Sequence, residues 1–159
     1  MGTSEYLKLT GYYTFEAVDI RTNKTVQKVV IKNTITQAFY NKLFEFLNYD
    51  TDTPAAEVLG INYLAIGDDS TAVTRADTTL AAEILRKAPS TISYTGSVFT
   101  VKTIISAPEG NPTGGIILEA GIFADGTASA DSGNLISRAV VNIKKNSNIV
   151  LYVTWTMST

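Results

Sequence analysis

One acidic side chain stands alone in the most apolar stretch of the chain. Glu119 lies within Gly114-Gly-Ile-Ile-Leu-Glu-Ala-Gly-Ile-Phe-Ala-Asp-Gly126, a run bounded by turn signals and interrupted by Gly121. An apolar run this short reads as a strand covered on both faces. On simple alternation Ile116, Leu118, Ala120 and Ile122 point one way, and Ile117, Glu119, Gly121 and Phe123 the other. A carboxylate taken out of water needs a cation or several N–H donors. Arg86 and Arg138 both fall inside predicted strands, so either can offer a bidentate guanidinium. The expectation is a structural ion pair drawn from Glu119, Arg86 and Arg138, one that fixes strand register and performs no reaction.

The other carboxylates suggest less. Asp68 and Asp69 beside Ser70, with Asp77 further on, hold oxygens of the kind a calcium ion takes. They lack the Asp-x-Asp-x-Asp-Gly spacing of a calcium loop, and a solvated turn accounts for them better. Glycoside hydrolysis needs two carboxyls facing one groove. Glu119 with Asp125 is the pair to consider, whereas Glu109 and Asp131 fall in loops with no legible relation to it. Histidine and cysteine are both absent. That removes the commonest general base, thiolate nucleophiles, disulfides and the usual transition-metal ligands. No catalytic residue, metal or cofactor is therefore expected.

The bulk properties agree with a non-catalytic globular protein. At 159 residues, with 45% hydrophobic and 18% charged side chains, the chain fits one domain with one core. A net charge of -2 argues against a general nucleic-acid binder. The basic residues are scattered, and Arg86-Lys87 and Lys144-Lys145 are the adjacent pairs. No run approaches membrane-spanning length, and no basic region followed by an apolar one marks a secretory signal. The expectation is a chain that folds in a cytoplasm and does not insert into membranes.

The elements that must position these residues follow from periodicity. Tyr6 to Ile31 reads as a long hairpin, with Leu7, Leu9, Tyr13, Phe15 and Ala17 on one face and Lys8, Thr10, Thr14 and Glu16 on the other. Asp19 to Lys24 is its turn, where Asn23 is best suited to a positive φ. The period then changes. Thr34-Ile-Thr-Gln37 is a capping-box pattern, and Ile35, Phe39, Leu43, Phe46 and Leu47 share a helical face. A single α-helix is expected at about 35–48, with Phe39, Tyr40, Phe44 and Phe46 as packing residues. A polar loop with Pro54 follows.

Strands are expected at Ile61–Ile66, Glu83–Ala88, Ile92–Thr95, Val98–Ala107, Leu135–Lys144 and Ile149–Met157, with Gly96-Ser97 a tight turn. In the last strand Ile149, Leu151, Val153, Trp155 and Met157 look inward. The loops at 108–115 and 125–134 read as flexible and suited to a receptor-binding face. Tyr12, Tyr40, Tyr49, Tyr63, Tyr94 and Tyr152 are candidates for sugar stacking or a subunit interface. Short strands with regular turn signals and no internal repeat give a mainly β fold, an antiparallel β-sandwich of jelly-roll-like type. It forms a single domain over 1–159: an N-terminal hairpin at 1–33, the helix at 34–48, and sandwich strands at 61–159.

From Ile61 onward the order of features resembles small bacteriophage tail and tail-fibre-associated proteins. Ile66-Gly67 and its polar turn lead through Thr78-Thr79-Leu80 to Glu83-Ile-Leu-Arg-Lys87. Leu118-Glu-Ala-Gly-Ile-Phe123 is similar to their Glu-Ala-Gly-Leu-Phe signature, and Lys144-Lys145…Val153-Thr-Trp-Thr156 to their closing strand. The turn Gly67-Asp-Asp-Ser70 carries one glycine where those proteins have two. The resemblance implies a non-enzymatic virion protein of the tail, tail fibre or baseplate that assembles with itself and its neighbours. A capsid decoration or head-fibre protein is the alternative of the same class. A carbohydrate-binding module recognising a host-surface glycan is the alternative of another.

Overall fold

The computed structural model describes residues 8–47 and 60–159. Expectations for Tyr6, Leu7, Tyr49, the loop with Pro54 and the side chains of Phe46 and Leu47 lie outside the described residues.

The chain is mainly β. Its strands are β1 (Thr10–Asp19), β2 (Lys24–Ile35), β3 (Ile61–Gly67), β4 (Glu83–Lys87), β5 (Thr91–Thr95), β6 (Val98–Ile105), β7 (Ile116–Ala124), β8 (Asn134–Lys144) and β9 (Ile149–Ser158), with α1 (Gln37–Leu47) after β2. They form a nine-stranded antiparallel sheet in the order β4-β3-β7-β8-β2-β1-β9-β6-β5. No helix among the described residues is long and apolar enough to cross a membrane.

The sheet curls at β2. From Lys24 to Asn33 this strand pairs with β1, while only Thr34 and Ile35 pair with β8. Two halves, β4-β3-β7-β8 and β1-β9-β6-β5, thus meet along a short seam and bend toward each other as a half-barrel. Their inward side chains form one core: Tyr13, Phe15, Val153 and Trp155 from one half, Ile66, Ile122, Ile136 and Ile143 from the other. The Tyr13 hydroxyl reaches across to Ser137 Oγ at 2.7 Å. Trp155 is fully buried, lies edge-on to Phe99, and donates its indole N–H to Asn33 Oδ1 at 3.2 Å. Where alternation predicted two facing sheets, the chain builds one continuous sheet folded over its own core.

The helix begins later than its sequence suggests. Pairing with β8 draws Thr34 and Ile35 into β2, so Thr36 is the N-cap and Gln37 the first helical residue. Thr36 is fully buried; its hydroxyl accepts the Phe39 N–H and donates to the Leu135 carbonyl. Its own N–H bonds the Ile136 carbonyl at 3.0 Å. Phe39 enters the core and Leu43 packs against it, but Phe44 points outward at 60% exposure. The expected turn geometry is present at Asn23, whose φ is 53°.

A second correction concerns β7. Its register against β8 shifts between Ile117 and Glu119, where the single residue Leu118 faces two residues of β8, Val141 and Asn142. Simple alternation set Ile117 beside Glu119. The bulge instead returns Ile117 to the core side with Ala120 and Ile122, leaving Glu119 on the far side.

Because Thr36 joins α1 to β8, replacing it with valine should lower the unfolding free energy by about 1–2 kcal/mol. Urea titration followed by circular dichroism measures this.

Candidate functional site

The far side of β4-β3-β7-β8 carries the buried charges. Register places Arg86, Ala65, Gly121 and Arg138 in one row across these strands, and Glu83, Gly67 and Glu119 in the next. Small residues hold the middle of both rows. A Cβ on Gly67 would meet Glu119 Oε1 and the Ala82 carbonyl at 2.4 Å, and one on Gly121 would meet Leu80 at 2.9 Å. The glycines thus make room for the charged side chains and for Leu80, which packs with Ala65, Phe123 and Leu135 as a second apolar cluster.

Glu119 has no exposed surface. Its carboxylate accepts the N–H groups of Ala81 and Ala82 at 3.0 and 2.6 Å, and meets Arg138 Nε and Nη2 at 2.9 and 2.8 Å. Arg138 also donates to Asp77 at 2.8 Å and to the Thr71 carbonyl at 3.0 Å. Segment 68–82 is thereby laid over the sheet at three points: Thr71, Asp77 and Ala81-Ala82.

Asp77 also accepts the Thr74 hydroxyl at 2.6 Å. Partial burial works against its charge, yet the hydrogen bonds from Thr74 and Arg138 hold its carboxyl below the usual range. Asp69 accepts the Thr71 N–H at 2.6 Å, which likewise lowers its carboxyl. Of the calcium candidates, Asp69 therefore serves as a turn acceptor and Asp77 as a turn acceptor and partner for Arg138, while Asp68 is joined to the Ala82 carbonyl through its backbone N–H at 3.2 Å. Among the described residues no three His, Cys, Asp or Glu side chains converge as metal ligands.

Arg86 does not reach Glu119. A register shift between Ile66 and Gly67 brings Glu83 onto the same face as Arg86 despite their three-residue spacing. The two make a bidentate pair at 2.6 and 2.8 Å, with side chains 4% and 3% exposed. The guanidinium covers the ring of Phe123, 4.7 Å from its centroid, and donates to the Thr127 and Ser132 carbonyls at 3.0 Å. Connection 125–134, expected to be flexible, is tied down by these bonds and by the Asp131 N–H to Glu83 at 3.1 Å.

Two lysines also hold loops. Lys87 pairs with Glu109 at 2.6 Å, and Ser106 donates to the same carboxylate. Together they hold Glu109 down at about 2. Lys145 is fully buried, with its ammonium on the Ala107 carbonyl at 3.0 Å and Asn111 Oδ1 at 2.7 Å; burial pushes its pKa down. Nothing in the adjacent pair Lys144-Lys145 distinguishes this lysine from its exposed neighbour.

Catalytic geometry is not assembled from Glu119 and Asp125. Asp125 lies six positions further along extended chain, roughly 20 Å away, well beyond the carboxyl spacing of glycosidases. Asp125 instead accepts the Gly60 N–H at 3.0 Å. An open groove of about 640 Å³ lies where β2 parts from β8, lined by Val29, Ile31, Leu118 and Val140. Gln27 also lines it, and its side chain bonds the Asn142 carbonyl and the Lys144 N–H at 2.8 Å each.

No family model matches the chain, and neither a curated protein nor a solved structure matches it.

Removing either partner of the Glu119–Arg138 pair strands a buried charge. Glu119→Ala should therefore cost about 3–5 kcal/mol of unfolding free energy in denaturant titration. Glu109 behaves differently because it is partly exposed. Its folded pKa of about 2 lies below the ordinary 4.5. Its contribution is thus complete above about pH 4.5 and lost as pH falls toward 2. Glu109→Gln should lower Tm by about 2–4 °C at most at neutral pH, and the difference should vanish near pH 2.

Proposed function

We propose that the protein is a non-enzymatic structural component of a bacteriophage particle, a tail, tail-fibre or baseplate part. It acts by assembling with copies of itself and with neighbouring virion proteins. The observation that carries this reading is the outward face of β2-β1-β9-β6. Tyr12, Val30, Ile104 and Tyr152 are exposed there. Register sets them in three rows, Lys32–Tyr12–Thr156–Thr100, Val30–Thr14–Thr154–Lys102 and Lys28–Glu16–Tyr152–Ile104, so hydroxyls and a few charges surround them. Large apolar side chains on a pleated face gain free energy when a neighbour covers them, at about 25 cal/mol per Å². The order of motifs, which resembles that of small phage tail proteins, supports the same reading, with the virion as the proposed place of action.

The buried charges fit a passive role. Each major ion pair holds a loop against the sheet, which makes a stiff block with fixed surfaces. In the finer architecture we propose, the two halves of the curled sheet act as the facing layers of a jelly-roll-like sandwich.

A capsid decoration or head-fibre protein is the alternative within this class. Recognition of a host-surface glycan is favoured by the exposed rings of Tyr12, Tyr94 and Tyr152, which are able to stack on sugars.

Light scattering of the purified protein, with mass spectrometry of purified particles, tests the assembly reading. A defined oligomer present at fixed copy number on particles is expected. A monomer at every concentration that never accompanies particles overturns it. A glycan-array signal lost in Tyr12→Ala or Tyr152→Ala would support the carbohydrate reading instead.

A further inference from the structure

The two ends of the sheet are treated differently. At one end, β4 carries Glu83, Arg86 and Lys87, and its charges engage the loops beside it through Ser132, Thr127 and Glu109. Charged side chains and covering loops are the usual protection of an open strand edge. At the other end, β5 is Thr91-Ile-Ser-Tyr-Thr95. All five residues are exposed, none is charged, none is proline, and Tyr94 is 79% exposed.

The free backbone groups of β5 can be assigned. Gly96 and Ser97 form a two-residue turn with Gly96 at φ 58°, so the flanking residues Thr95 and Val98 exchange both hydrogen bonds. Bonding alternates back along the hairpin. Thr91, Ser93 and Thr95 therefore direct their N–H and C=O groups at β6, and Ile92 and Tyr94 direct theirs away from the sheet. Ile92 lies opposite Val101 and Tyr94 opposite Phe99. Their side chains continue the inward rows that run through Trp155 and Met157, beyond the last strand that covers them.

We propose that β5 pairs edge to edge with β5 of a second copy of the chain, antiparallel about a two-fold axis at Ser93. In this register the free groups of Ile92 meet those of Tyr94 on the partner, and the reverse, which makes four new hydrogen bonds. The strand complements itself. Threonine opposes threonine, isoleucine opposes tyrosine, and serine opposes serine; these are favourable cross-strand pairs with no like charges facing. A two-fold contact requires such self-matching, and this five-residue strand has it without adjustment. The inference rests on the assembly reading above and names its contact.

The chain has no cysteine, so Ser93→Cys introduces its only thiol. At the two-fold axis Ser93 and its counterpart form a non-hydrogen-bonded pair with Cα atoms about 4.5 Å apart, within disulfide range. Thr91 and its counterpart lie roughly 13 Å apart. Under mild oxidation Ser93→Cys should form a covalent dimer and Thr91→Cys should not. Ser93→Lys sets two like charges opposite each other and should weaken the dimer about tenfold or more by light scattering, with an unchanged circular dichroism spectrum.

Equal cross-linking of the two cysteine variants overturns the proposal. So does an oligomer indifferent to Ser93→Lys, which would leave the assembly reading standing on another surface. A protein monomeric by itself whose Ser93→Lys variant no longer joins particles also overturns it, and assigns the edge to a different virion chain. Absence of both self-association and particle incorporation defeats the assembly reading as well.

Discussion

A carboxylate sealed from water dictates the arrangement of everything near it. Glu119 sits in the middle of a strand flanked by β3 and β8, where no solvent can reach it. Arg138 supplies the opposing charge, but a guanidinium has more donors than one carboxylate can use. The surplus reaches Asp77 and the Thr71 carbonyl, while the remaining acceptor capacity of Glu119 captures the Ala81 and Ala82 N–H groups. One buried charge thus specifies the path of a fifteen-residue segment that has no regular structure of its own. Arg86 and Glu83 repeat the arrangement on the next connection. At Glu119 the glycine is as necessary as the ions, since any side chain at Gly67 would occupy the space of the carboxylate.

The curl at β2 solves a different problem. A nine-stranded sheet has two broad faces, and a flat one would leave too much apolar surface uncovered. By pairing with β1 over most of its length and with β8 at only two residues, β2 turns one half over onto the other. The concave face becomes the main core. The convex face is left to segment 68–82 on one half and to solvent on the other. That asymmetry leaves the Thr- and Tyr-bearing face of β2-β1-β9-β6 open.

Much of this was legible in the residues. Alternation located the inward rows of β1 and β9, turn chemistry located Asn23 and Gly96, and an isolated glutamate in an apolar run signalled an ion pair. The failures share one cause. Periodicity assumes an unbroken register, and the bulges opposite Gly67 and opposite Leu118 each reverse the facing of part of a strand. They move Ile117 into the core and bring Glu83 beside Arg86, two outcomes that counting by twos cannot give. The helix start failed for a related reason: Thr34 fits a cap, but a strand partner distant in sequence claimed it first. Lys145 had no local signal at all, because its partners, Ala107 and Asn111, come from a loop far back along the chain.

The neighbours of β1 have a consequence for how the chain reaches this state. Its partners are β2, next along the chain, and β9, nearly the whole length away, so that Tyr13 stands opposite both Ile31 and Trp155. The first pairing closes a short loop at small entropic cost; the second closes nearly the whole chain and costs more. Until it forms, the early hairpin presents one bare flank to its surroundings. Non-local pairing of this kind favours slow folding for a chain of this size.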